Sequence, residues 1–184
     1  HSRNRRSSRS TPPLPVPTPQ LSREYLYAGQ RLLASEDAFA NAAPPADLAV
    51  WRPSNGYFYI LGGAGSQQTF YQWGVSGDVP CPGDFDGDGK TDFSVFRPST
   101  GVWWVTRSSD GSYFSTQFGL GTDKPAAADY DGDGKTDIAV YRPSTGLWYI
   151  VQSSTGSTSY ATFGGSTDIP ISADYDGDGK ADIG

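Results

Sequence analysis

The sequence predicts an all-β protein made of tandem repeats of 45 residues, each with four short strands. The first observation is an acidic nine-residue segment that recurs at a constant offset of 45 residues, as Asp84–Asp92, Asp129–Asp137 and Asp174–Asp182. A fixed period of this length is typical of a repeat architecture. The second observation is the composition, because 14% aromatic residues and 23 Gly suit many short strands joined by turns. Period and composition together therefore indicate stacked β units.

The part of the chain before the repeats divides into two segments. Residues 1–21 are rich in Arg, Ser and Pro and predict an extended arm without a core of its own. In residues 22–46, two short apolar stretches flank Ala28-Gly29-Gln30, which predicts a β-hairpin, with a helix over Arg31–Phe39 as the alternative. Residues 22–36 resemble the Tyr-Asp-type repeats of bacterial Rhs-like surface proteins. Asp37–Ala46 reads as an Ala/Pro linker.

The repeats occupy residues 47–184, which we divide into three units. Each unit opens on an apolar stretch that ends in Arg-Pro-Ser, and a Pro-Ser-Thr-Gly turn follows in two of the three. Pro fixes φ at such a turn, and Gly accepts the positive φ that comes after it. The third unit is predicted to contain four strands, at Ile138–Arg142, Leu147–Ser153, Ser159–Phe163 and Ile169–Ala173.

The acidic segments have the chemistry of a site for a hard cation. Carboxylates at positions 1, 3, 5 and 9 repel one another when ionised, and Ca²⁺ turns that repulsion into coordination by oxygen. The residue at position 7 is expected to supply its backbone carbonyl, and the two Gly let the backbone wrap around an ion. Strand-like sequence follows each loop, so this is an EF-hand-like half-loop on a β framework. The alternative is an Asp-Gly turn that binds nothing. The predicted ligands of three Ca²⁺ ions are Asp84, Asp86, Asp88, Lys90 and Asp92; Asp129, Asp131, Asp133, Lys135 and Asp137; and Asp174, Asp176, Asp178, Lys180 and Asp182.

These acidic loops and the turns between them resemble the FG-GAP/VCBS repeat family, over residues 47–184. That resemblance implies calcium loops inside the blades of an integrin-type β-propeller. The stretch before Asp47 departs from the pattern, because Asn-Ala-Ala-Pro-Pro-Ala offers no acidic loop ahead of the first unit.

Composition and charge exclude several classes of function. The formal charge of −6 is explained by metal sites, since 12 of the 20 acidic residues lie in the three loops. The single His is residue 1 and the single Cys, Cys81, has no His partner, so we expect no enzyme activity; we predict Cys81 to be a small apolar filler. An acidic body argues against nucleic acid as a partner, although the Arg-rich arm alone could contact a polyanion. We predict no membrane span, and calcium sites of this kind indicate a secreted protein, extracellular or at the cell surface.

Two classes of function remain open, a scaffold and a binding module. Aromatic residues recur at matched positions and could stack on surface glycans, with Arg52, Arg97 and Arg142 holding polar groups of the sugar. Alternatively, the rings pack between units and each Arg pairs with a nearby Asp. The recurrence of these residues in every unit favours this second interpretation. The aromatic residues concerned are Phe58, Tyr59, Trp103, Trp104, Trp148 and Tyr149.

The scaffold hypothesis includes association of the chain with copies of itself. The repeats open on a strand without a preceding loop and close on a loop without a following strand. Three blades do not close a propeller, which needs about four to eight, and an open array leaves an edge that attracts another strand. We therefore expect head-to-tail association into a ring or filament. The alternatives are a glycan-binding β-propeller lectin, or a fragment of a longer cell-surface protein that supplies further blades.

Overall fold

The computed structural model describes residues 23–28, 31–37, 47–61 and 68–184, the first two ranges as backbone strands. Every regular element in these ranges is a β-strand, as the all-β prediction requires. The arm at residues 1–21 and most of the Ala/Pro linker lie outside the described residues. The strands are β1 (Arg23–Ala28), β2 (Arg31–Asp37), β3 (Leu48–Arg52), β4 (Tyr57–Leu61), β5 (Gln68–Gln72), β6 (Val79–Pro80), β7 (Phe93–Arg97), β8 (Val102–Thr106), β9 (Tyr113–Gln117), β10 (Lys124–Pro125), β11 (Ile138–Arg142), β12 (Leu147–Val151) and β13 (Thr158–Thr162).

The strands form antiparallel sheets whose neighbours follow chain order. β1 and β2 pair as a hairpin with an irregularity at Leu26/Tyr27, so the hairpin prediction is correct and the helix alternative is wrong. The three repeat sheets are β3-β4-β5, β6-β7-β8-β9 and β10-β11-β12-β13. Corresponding pairs lie 45 residues apart, for example Val95↔Trp104 in the second sheet and Val140↔Tyr149 in the third. Blade-like β repeats are therefore confirmed.

The strand predicted at Ile169–Ala173 is absent, and the pairing of the equivalent segments changes where the repeat unit begins. Ile169–Ala173 forms no strand; its backbone contacts across the acidic loop are the isolated bridge between Ala173 and Asp182 and a hydrogen bond from the Ile171 N–H to the Gly184 carbonyl, at 2.9 Å. In the earlier repeats the same positions give the two-residue strands β6 and β10, which pair with β7 and β11 across the acidic loop. The last strand of each predicted unit thus belongs to the sheet that follows it.

The described residues form three core clusters, and two of them lie between consecutive sheets. We call the two sides of each sheet the A face, which carries Trp51, Phe96 or Tyr141, and the B face, which carries Val50, Val95 or Val140. Trp51 and Phe58 on the A face of the first sheet form one buried cluster with Val95 on the B face of the second. Phe96 and Trp103 on the A face of the second sheet pack in the same way against Val140 of the third. The A faces of the first two sheets therefore cover the B face of the next sheet, and the third cluster lies on the A face of the third sheet around Tyr141 and Trp148.

Buried polar groups tie the sheets to the segments that connect them. The indole N–H of Trp73, which follows the first sheet, donates to the backbone carbonyl of Trp104 in the second, at 3.0 Å. Asp78 accepts two hydrogen bonds from the Arg97 guanidinium, each 2.8 Å long, and its side chain is 1% exposed. Asp123 and Arg142 form the equivalent pair one repeat later. The expectation that these Arg pair with a nearby Asp is thus correct for Arg97 and Arg142.

The recurring aromatic residues divide by face. Phe58, Trp103 and Trp148 are buried on the A faces. Their neighbours in sequence, Tyr59, Trp104 and Tyr149, lie on the B faces and are partly exposed, with an Arg guanidinium stacked over each ring. Cys81 lies in the cluster between the second and third sheets, as predicted for a small apolar filler. The rings of Phe58, Trp103 and Trp148 are therefore part of the core.

Candidate metal centre

Each acidic loop folds around the carboxylate at its first position. In the first loop, Asp84 accepts hydrogen bonds from the backbone N–H groups of Gly87 at 2.6 Å and Gly89 at 2.8 Å. Gly87 and Gly89 both have φ of 81°, which a residue with a side chain rarely adopts. The second loop repeats this arrangement around Asp129, and the third around Asp174. The Asp-Gly spacing therefore determines the turn that curls the loop.

The loop brings three of its four carboxylates together. One oxygen from each of Asp84, Asp86 and Asp92 lies within 4.8 Å of the others. Two ligands on opposite sides of one Ca²⁺ are about 4.6–5.2 Å apart, because each Ca–O distance is about 2.3–2.6 Å. The spacing thus fits one ion. The same three positions converge in the other loops, as Asp129, Asp131 and Asp137, and as Asp174, Asp176 and Asp182.

The carboxylate at position 5 lies outside the converging group. Asp88 Oδ1 accepts from the backbone N–H of Lys90 at 2.8 Å, and Oδ2 accepts from the Ser108 hydroxyl at 2.9 Å. Asp133 has the same kinds of partner in the second loop, whereas for Asp178 of the third the structure gives the backbone contact. The predicted role of these three Asp, and of the Lys90, Lys135 and Lys180 carbonyls, stays a prediction.

In the first two loops the last carboxylate is buried and anchors the loop to its own sheet. Asp92 is 0% exposed and accepts from the backbone N–H groups of Phe85 at 2.9 Å and Ser108 at 2.7 Å. Burial raises its pKa, because removal from water penalises the charged form. Asp137 has the same environment, and burial raises its pKa as well. A divalent cation would offset the cost of holding these charges away from water.

A serine pair outside the acidic loop completes its polar surroundings. The turn after β8 places Ser109 so that its hydroxyl donates to Asp86 at 2.6 Å, and this bond lowers the pKa of Asp86. Ser154 makes the same bond to Asp131 and lowers the pKa of that carboxyl. Sequence reasoning missed these serines, although the pair Ser108-Ser109 recurs as Ser153-Ser154 at the same 45-residue offset. They hold the Asp86 and Asp131 side chains ionised and oriented.

Consecutive loops also contact one another. The backbone N–H of Thr136 in the second loop donates to the Asp84 carbonyl in the first, at 2.6 Å. Ala181 in the third loop donates to the Asp129 carbonyl at the same distance. The Lys side chain of each later loop lies across a Gly of the loop before it, Lys135 against Gly87 and Lys180 against Gly132. The three loops therefore form one continuous stack along the array.

The comparisons agree with this geometry. The model of the FG-GAP-like repeat matches residues 84–140 and again residues 129–184, which together make up more than half of the chain. The chain is thus an acidic-loop β-repeat protein, and it belongs to the FG-GAP-like repeat family. Repeats of this family are structural and adhesive rather than enzymatic, are typically found in extracellular proteins and often bind calcium. No curated protein matches the chain. Among the described residues, no helix has the length and apolar character needed to cross a bilayer.

Proposed function

We propose that this protein is a calcium-stabilised extracellular scaffold with a structural or adhesive role, and that it associates head to tail with copies of itself. The observation that carries the calcium proposal is the convergence of three carboxylates in every loop, one of them fully buried in the first two. Each ion would bind one acidic triad, with Asp84, Asp86 and Asp92 as the ligands of the first. It would neutralise carboxylates that otherwise repel one another.

Calcium would stabilise the array rather than a single turn. Asp92 bonds the loop to the turn after β8, and Asp84 bonds the first loop to the second, so an ion that fixes both residues also fixes these junctions. An ion at a hundred times its dissociation constant stabilises a fold by about 2.7 kcal/mol per site. Three sites would therefore contribute about 8 kcal/mol, which is comparable with the whole stability of a typical domain, about 5–15 kcal/mol.

The scaffold is better supported than a glycan-binding lectin. Phe58, Trp103 and Trp148 are buried, and Arg97 and Arg142 are held by Asp78 and Asp123. These side chains serve packing between sheets, which leaves few of the repeated aromatic residues for a sugar platform. Saturable binding of a defined oligosaccharide on a glycan array would favour the lectin instead.

The experiment that tests the calcium proposal is thermal unfolding in millimolar Ca²⁺ and in excess chelator, for two Asp variants. Asp131→Ala removes a member of the second triad, whereas Asp110→Ala removes an exposed carboxylate outside the triads. We expect Ca²⁺ to raise the melting temperature of the wild type and of Asp110→Ala by the same amount, and that of Asp131→Ala by clearly less. Equal calcium-dependent shifts in all three proteins would contradict the proposal.

A further inference from the structure

Three consecutive residues of the second acidic loop join its candidate metal site to the first loop. The backbone N–H of Thr136 donates to the Asp84 carbonyl at 2.6 Å, and Asp84 is a member of the first triad. Thr136 lies between Lys135, whose carbonyl is a predicted ligand of the second ion, and Asp137, a member of the second triad. A ligand of the first site is therefore hydrogen-bonded to a residue flanked by ligands of the second.

Lys135 also contacts the first loop through its side chain. Its aliphatic carbons lie against Gly87, because a Cβ placed on Gly87 would be 3.0 Å from Lys135 Cε and 3.2 Å from Lys135 Cγ. The Gly87 N–H donates to Asp84 at 2.6 Å, within the turn that orients this carboxylate. One residue thus has its backbone in the second loop and its side chain across the turn of the first.

The junction between the second and third loops repeats both contacts. Ala181 follows Lys180 in the third loop, and its backbone N–H donates to the Asp129 carbonyl at 2.6 Å. The Lys180 side chain lies across Gly132, with its Cε 3.0 Å from the position of a Cβ. Ala181 stands where Thr136 stands one repeat earlier, and the hydrogen bond is the same. The contact therefore depends on the backbone rather than on the side chain at this position.

From these contacts we infer that the calcium sites bind cooperatively, so that an ion in one loop raises the affinity of the site in the neighbouring loop. This inference rests on the proposed calcium binding and states how the sites affect one another. An ion held by the Lys135 carbonyl and Asp137 would fix residues 135–137 and with them the Thr136 N–H that bonds to Asp84. The next ion then binds a loop that is already ordered, and the coupling is reciprocal.

The charges of neighbouring ions oppose this coupling only weakly. Ca²⁺ bound to three carboxylates leaves each site with a net negative charge. Stacked sheets pack about 10 Å apart, and the Debye length at physiological salt is about 8 Å, so repulsion between ions in neighbouring loops is largely screened. The backbone hydrogen bond and the Lys side chain act by direct contact, which salt does not screen. We therefore expect the cooperativity to be positive.

The test is a calcium titration followed by NMR, with one glycine amide for each loop. The N–H groups of Gly87, Gly132 and Gly177 bond to the first carboxylate of their own loops, so their shifts report the occupancy of each site separately. Asp176→Ala removes an exposed member of the third triad. It should weaken calcium binding at the second site by about fivefold, the lower end of the range for coupled sites. The control Asp110→Ala should keep all three affinities of the wild type.

A second set of variants tests whether the coupling passes through the loop junction. Asp131→Ala disables the second site and should weaken the first site, read at Gly87, by a similar factor. In a Gly83→Ala background this effect should be lost, because a Cβ at position 83 would lie 2.5 Å from Thr136 Oγ1 and would separate the two loops. Gly83→Ala alone is the reference, so any direct effect of that substitution cancels in the comparison. Adding Thr136→Ala, which removes the clash, should restore the coupling.

Each outcome separates the coupling from calcium binding itself. Neighbouring sites that keep their wild-type affinity in Asp176→Ala and Asp131→Ala overturn the inference. An undiminished effect of Asp131→Ala in the Gly83→Ala background overturns the junction as the route of the coupling. Dispersed glycine resonances show that a variant is folded, and the exposed Asp176 provides the test even where Asp131→Ala does not fold. Failure of the calcium proposal is distinct, because no loop glycine of the wild type would then shift with Ca²⁺.

Discussion

The contact between the first two acidic loops permits a quantitative test of the loop stack. Gly83 precedes the first loop, and a Cβ placed there would lie 2.5 Å from Thr136 Oγ1 and 2.8 Å from Thr136 Cγ2. Both distances are below the 3.4 Å at which ordinary van der Waals contact begins. Gly83 does not have a positive φ, so Ala adds no backbone strain there. The perturbation by Gly83→Ala is therefore a steric clash between two loops.

The expected cost of Gly83→Ala is that of overpacking a tight contact, about 1–3 kcal/mol. For a chain of this size, 1 kcal/mol shifts the melting temperature by about 2–4 °C, so we expect a loss of about 2–12 °C. The junction between the second and third acidic loops shows how this clash can be relieved. Ala128 and Ala181 occupy the positions of Gly83 and Thr136 there, with the same loop-to-loop hydrogen bond. Gly83→Ala combined with Thr136→Ala should therefore recover most of the loss.

The assay is thermal and denaturant unfolding of the wild type, both single variants and the double variant at saturating Ca²⁺. Thr136→Ala alone removes a partly buried methyl and hydroxyl and serves as the reference for the cycle. The double-mutant cycle isolates the pairwise term. A Gly83→Ala variant as stable as the wild type would refute the tight loop contact. A double variant no more stable than Gly83→Ala would refute the equivalence of the two junctions.

Three further outcomes follow from the described contacts. Thr106 is 3% exposed, and its hydroxyl has no hydrogen-bond partner. Thr106→Val, which matches Val151 of the next repeat, should therefore raise the free energy of unfolding by about 1–3 kcal/mol. Thr162→Val at an exposed site should change the free energy of unfolding by under about 0.5 kcal/mol. Ser109→Ala removes the hydrogen bond that orients Asp86, so calorimetric titration should show that the calcium affinity of the first site is about tenfold weaker. The control variant Ser99→Ala should have the calcium affinity of the wild type. Burial raises the pKa of Asp92, and Ca²⁺ binds the deprotonated carboxylate, so protons compete with Ca²⁺ for Asp92 at a higher pH than for an ordinary Asp. Calcium titrations should therefore release more protons per ion as the pH falls toward that pKa. Proton release that is constant with pH would contradict this reasoning.

Much of the candidate site was predictable because it is local in sequence. The nine residues of each loop contain their own turn, since Asp84 bonds to Gly87 and Gly89 within five residues. The serine pair was not predicted, because Ser109 lies 23 residues from Asp86 and reaches it only after β7 and β8 have paired. Asp88 was expected beside the other carboxylates, but Ser108 and the Lys90 N–H hold it outside the converging group.

The sequence by itself determined the all-β class, the 45-residue period, the hairpin at β1 and β2 and the acidic loops, because each is encoded by spacing within a short window. Only the tertiary structure decided where a repeat begins, since β6 and β10 pair forward with the strand beyond their loop. The tertiary structure also decided which aromatic residues belong to the core, because their burial depends on the A face of one sheet meeting the B face of the next. The bonds between consecutive loops belong to this second group, since they join residues about 50 positions apart that only the stacking of repeats brings together.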